Sequence, residues 1–128
     1  MNRYDPNSPP DPAKWLELDE QERILLIEQF HRKVHGHAKS RKAHSVIHAI
    51  VETQLAMNDP ASERAALARL TGEGLDRHEA IHALGSILAE YVFEALRGSS
   101  GEHSSAYAQA LSKLTATTWR SSGRSGDH

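Results

Sequence analysis

The chain contains no cysteine among its 128 residues. That excludes a disulfide framework and any thiolate metal site, so a bound metal would be held by imidazole and carboxylate. No apolar run approaches the roughly 20 residues of a membrane-spanning helix, and no membrane partner is expected. The opening residues, Met1-Asn-Arg-Tyr-Asp-Pro6, lack the apolar centre of a secretion signal, so the expected location is cytoplasmic. Strand-like alternation, internal repeats and glycine-rich phosphate loops are missing too, which leaves an all-α protein. Charge of one sign is also scarce. The net charge is -2, which gives no general affinity for polyanions and argues against nucleic acid as a partner. The local exception is Arg32, Lys33, Lys39, Arg41 and Lys42, crowded around one helix end and the loop after it.

What the chain has in excess is histidine, with 9 copies. At that density about 0.6 pairs at i, i+4 would arise by chance. Three occur: His31/His35, His44/His48 and His78/His82. Four residues apart on a helix, two imidazoles point the same way, one turn above the other, which is the spacing of two ligands to one metal.

The helices that carry them can be placed from caps and periodicity. Residues 1–11, rich in Pro, Asn and Asp, read as an extended, poorly ordered or disordered N-terminal arm. Asp11-Pro12 starts a short turn that docks Trp15. Asp19 and Glu22 form a capping box ahead of a helix to about Val34, with Ile24, Ile27, Phe30, His31 and Val34 along one stripe. Gly36 ends it. A second helix spans 41–57, with His44, Ile47, His48, Val51 and Leu55 inward and Glu52 one turn after His48. Asn58-Asp59-Pro60 separates it from a third, through Ala65, Leu67 and Leu70. Thr71-Gly72-Glu73-Gly74 breaks that helix. After the Asp76 cap, a fourth runs from Arg77 to about Arg97, with Ile81, Leu84, Leu88, Val92 and Phe93 to the core. Short links favour an up-down-up-down four-helix bundle over 12–98. A linker and a weaker C-terminal helix follow over 99–119 as an appendage, and 120–128 form a disordered tail.

In that topology the second and fourth helices run parallel. His31, His44 and His78 then share one layer, with His48 and His82 one turn deeper. Glu28 precedes His31 by three, the Glu-x-x-His spacing of bundles that hold two iron or manganese ions. The first candidates for metal ligands are therefore His44, His48, His78 and His82, with His31, Glu28 and Glu52 as further candidates. One or two divalent transition metals, zinc, iron or manganese, suit such a set.

His78-Glu79-x-x-His82 also matches the zinc-peptidase motif, with Glu79 as general base. Two features oppose that reading. Glu90 lies eight residues beyond His82 on the same helix, about 12 Å along the axis, and cannot complete the site. No edge strand is expected to hold a peptide. Glu79 has a simpler role as the third residue of a capping box with Asp76.

The run His44-Ser-Val-Ile-His48-Ala-Ile-Val-Glu-Thr-Gln54, followed by Gly74-Leu-Asp-Arg-His-Glu-Ala-Ile-His82 and Glu90, resembles a bacterial family of small helical proteins. This is the domain-of-unknown-function family numbered 1841, with its paired H-x-x-x-H helices. The likeness covers roughly residues 43–97, and the spacing of Glu52 after His48 departs from the pattern. The resemblance implies that the two histidine pairs are the centre of the protein; it implies no activity. Two functions follow from the residues. One is a metal-binding bundle, which extends to a metal-dependent hydrolase or oxidoreductase if Glu79 or Glu52 moves protons. The other is a non-enzymatic interaction or regulatory module with a structural histidine cluster. The partners left open are a small molecule, a protein or a second copy of the chain as a homodimer.

Overall fold

The computed structural model describes residues 3–35, 41–58, 61–96 and 103–121, with side chains described for 3–30, 43–58, 61–92 and 106–121. Among them are seven helices and no strand: α1 (Pro12–Glu17), α2 (Glu20–His35), α3 (Arg41–Met57), α4 (Ala61–Gly72), α5 (Arg77–Leu96), α6 (His103–Lys113) and α7 (Ala116–Ser121). The protein is all-α, and no helix among the described residues is long and apolar enough to cross a membrane.

The helix starts follow their caps. Asp11 accepts from Lys14 N at 3.1 Å, with Pro12 in the first turn of α1. Asp19 and Glu22 satisfy each other's backbone N–H groups at 2.8 and 3.0 Å, a complete capping box. Asp76 Oδ1 accepts from Glu79 N at 2.8 Å. At the other ends, Asn58 (φ 55) follows α3 and Gly74 (φ 109) follows α4, both in the left-handed region that stops a helix.

α3 is the shared wall of two apolar clusters. On one side Val51 and Leu55 join Leu70 of α4, Ile81, Leu84 and Leu88 of α5, and Tyr107, Leu111 and Trp119 of the C-terminal helices. On the other, Ala49 meets Tyr4, Trp15, Ile24 and Ile27. Trp15 is fully buried and its indole donates to Thr53 Oγ1 at 3.1 Å, which ties α1 to α3.

Three differences from the sequence reading have physical causes. The N-terminal arm turns at Asp5–Ser8, where Ser8 N donates to Asp5 O at 2.9 Å, and residues 3–11 do not stand away from the bundle: Tyr4 and Pro6 are buried. The apolar faces of these two residues outweigh the polar composition around them. The C-terminal helix is two helices. Thr115 interrupts it because its hydroxyl accepts from Thr118 N at 3.1 Å and caps a new start. Both pieces contribute to the main core, so the appendage is packed onto the bundle. Finally, α3 and α5 do not meet as parallel helices, because their contacts run in opposite order: Arg77 in the first turn of α5 pairs with Glu52, while His82, further along α5, meets His44 near the start of α3. The Arg77–Glu52 fork and the close approach at Gly85 hold the two helices in that order. The linker Gly98–Gly101 and the tail beyond Ser121 lie outside the described residues.

Candidate metal centre

One line of α3 and the first turns of α5 build the site. His44, His48 and Glu52 follow at successive i+4 steps on α3, so all three face the same way. α5 presents Arg77, His78 and His82 across from them. The helices approach closely here because Gly85 has no side chain: a Cβ on it would sit 3.2 Å from Ile47 Cγ2.

His44 Nε2 and His82 Nε2 are 3.2 Å apart. Taken with His48, each imidazole offers one ligand atom, and the three lie within 4.8 Å of one another. His48 and His82 are 3% and 7% exposed, and His44 is half-buried. The expected layering is therefore rearranged: His44 meets His82, with ring centroids 4.3 Å apart, while His78 lies 6.2 Å from His48 in a stacked arrangement. His78 is 4.4 Å from His82 by ring centroid and packs edge-on against Phe30 of α2. It borders the cluster and is outside the group of three.

Around this trio runs a chain of charge-assisted bonds. The Tyr4 hydroxyl is 2.7 Å from His48 Nε2 and donates to Glu52 Oε2. Arg77 clasps Glu52 with both arms, Nη1 to Oε2 at 2.7 Å and Nη2 to Oε1 at 2.8 Å. Such a fork is geometrically specific and strong when shielded from water. Glu52 is 1% exposed and Arg77 13%. Burial works against the Arg77 charge, but Glu52 more than offsets it, and the guanidinium pKa is raised. Burial, then the Glu52 charge, pushes the Tyr4 phenol well above its ordinary range, so it stays a neutral donor.

The other sequence candidates fall in different places. Glu52 joins the site through Tyr4 and Arg77. Glu79 donates its backbone N–H to the Asp76 cap, and its carboxylate accepts from the Trp119 indole at 3.0 Å, on the side facing α7. Glu28 is half-buried on α2, and Glu90 is exposed on an α5 that runs unbroken past it. The side chains of His31, His35, Arg32, Lys33, Lys39, Arg41 and Lys42 lie outside the described residues. Sequence reasoning missed Tyr4, Asn7 and Arg77. Arg77 was visible as the lone cation opening the helix of His78 and His82, and Tyr4 as the one aromatic in a polar arm.

A second buried carboxylate occupies another part of the core. Glu63 of α4 is fully buried and accepts from the Tyr107 hydroxyl of α6. With its amide turned to donate, Gln54 of α3 reaches both Glu63 oxygens, at 2.9 and 2.6 Å. Desolvation raises the Glu63 pKa from 4.5 to about 7, against the opposing pull of the Tyr107 bond.

Fold and site define a small helical-bundle protein with three imidazoles converging from two helices. The chain belongs to the family described as Domain of unknown function (DUF1841), whose model matches residues 18–113. No curated protein and no solved structure matches it. The matched residues include both histidine pairs, Glu52 and Arg77, whereas Tyr4 and Asn7 precede them.

Proposed function

We propose that this protein binds a divalent transition metal, zinc, iron or manganese, through His44, His48 and His82. The observation that carries this reading is the convergence of three imidazole nitrogens within 4.8 Å, two of them 3.2 Å apart. Two nitrogens each about 2.0–2.1 Å from a tetrahedral zinc lie about 3.3 Å from one another. The donor set also fits: buried and half-buried imidazoles, with a carboxylate chain behind one of them.

Three protein ligands leave a further coordination position, the arrangement of metal sites that activate water or dioxygen. The activity that follows from this is a hydrolase or oxidoreductase on a small molecule. Glu52 is already engaged by Arg77 and Tyr4, which favours it as an orienting group over a mobile base. Glu79, turned to Trp119, lacks support as a general base.

Metal analysis of protein purified without a histidine tag tests the reading. Close to one equivalent is expected after reconstitution, and less than about 0.2 equivalents of any transition metal would sink it. A second reading, a structural histidine cluster in an interaction module, is favoured by the direct contacts His44–His82 and His48–Tyr4, which link the rings without an ion. It predicts that chelator leaves stability unchanged.

A further inference from the structure

We propose that the N-terminal arm is a working part of the histidine site: Tyr4 is a positioning residue for His48, and the docked arm governs how fast the metal exchanges. This rests on the metal reading above and extends it to residues that precede the family match.

The arm reaches the site at three points. The Tyr4 hydroxyl lies 2.7 Å from His48 Nε2 and donates to Glu52. The Pro6 carbonyl accepts from Arg77 Nη1 at 2.9 Å. Asn7 Oδ1 accepts from His78 N at 2.9 Å, in the first turn of the helix that carries His82. Apolar plugging alone would account for the Tyr4 ring, which sits 5.7 Å from Trp15 and edge-on to Phe30. It does not account for polar atoms aimed at His48, Arg77 and His78. A ring held through one nitrogen has its tautomer and orientation fixed, which is how outer groups tune metal ligands. Here the chain His48–Tyr4–Glu52–Arg77 does that, and its first outer member comes from the N-terminal arm. Because coupling is reciprocal, an ion that prefers the oriented ring also holds the arm down.

The test uses the full chain and its Tyr4→Phe variant, which keeps the ring and removes only the hydroxyl. Both are loaded with zinc, and release to a chromophoric chelator is followed. Cobalt spectra and protease cleavage within residues 3–11 are recorded with and without metal. The variant should bind the wild-type stoichiometry but release zinc at least about tenfold faster, with an altered cobalt spectrum. Zinc should slow arm cleavage in the wild type more than in the variant. A purely packing role predicts release within about twofold of wild type and an unchanged spectrum, which would overturn the proposal. An iron-phenolate absorption band lost in Tyr4→Phe would also overturn it, since Tyr4 would then be a ligand. A wild type that binds no metal removes the metal reading itself, a failure visible before any variant is made.

Discussion

Two tyrosines, one from each end of the chain, do the same thing to opposite effect. Tyr4 and Tyr107 each pin a terminal segment to the bundle by donating to a buried glutamate, Glu52 and Glu63. Glu52 is clasped by Arg77 as well. Glu63 has a hydroxyl and an amide, and no cation among the described residues. The first carboxylate faces a guanidinium counter-charge. The second holds its proton to about pH 7. The difference shows that a buried acid is defined by its counter-charge more than by its depth, since both are almost fully buried.

Removing that counter-charge should produce the largest effect. Arg77→Met leaves Glu52 buried and unpaired, and should cost about 3–5 kcal/mol in urea unfolding at neutral pH. Adding Glu52→Gln should recover most of the loss, because the orphaned charge goes with it. No recovery would mean that Arg77 acts through packing and its bond to Pro6, and the contrast between the two glutamates would collapse.

Glu63 should show the converse, as pH dependence. Its pKa is raised in the folded state, so its contribution is fully favourable below the unfolded value near 4.5 and is lost as pH climbs through about 7. Relative to Glu63→Gln, the wild type should therefore lose on the order of 3 kcal/mol of stability between pH 4.5 and 8. The loss should fall on the docking of α6, read by proteolysis there. A flat difference across this range would show that Glu63 gains compensation from elsewhere.

Zinc should separate the two ends of the molecule. At 100 times its dissociation constant it should stabilise the wild type by about 2.7 kcal/mol. His48→Ala and His82→Ala should abolish this gain, and Glu63→Gln should leave it intact. Equal loss in Glu63→Gln would mean the two clusters are not independent.

How much of this was legible in the sequence follows from how local each signal is. The α3 limits, the Arg77 start of α5 and the Asp19–Glu22 box are written in caps and periodicity within a few residues, and they formed as read. The i+4 line of His44, His48 and Glu52 is equally local. The register between α3 and α5 is not. It depends on the Arg77–Glu52 pair across 25 residues, so the layers differ from those expected. Tyr4 was harder still, because its partners are 44 and 48 residues away and its neighbours in sequence read as a polar arm.

The smallest expected effect tests whether that arm is bound to the site or merely near it. Asp76 caps α5 from the adjacent position, as most helix caps do. Asn7 adds a second acceptor from 71 residues away, on the next N–H along. Asn7→Ala should cost about 1 kcal/mol, as loss of a helix cap usually does. If the arm serves only to cover apolar surface, the cost should appear equally with and without metal. If it orients the site, the zinc-loaded protein should lose more than the apo form, because Asn7 fixes the turn from which His78 and His82 project. The gap between those two losses, measured by paired urea titrations, reports how tightly the arm and the ion depend on one another.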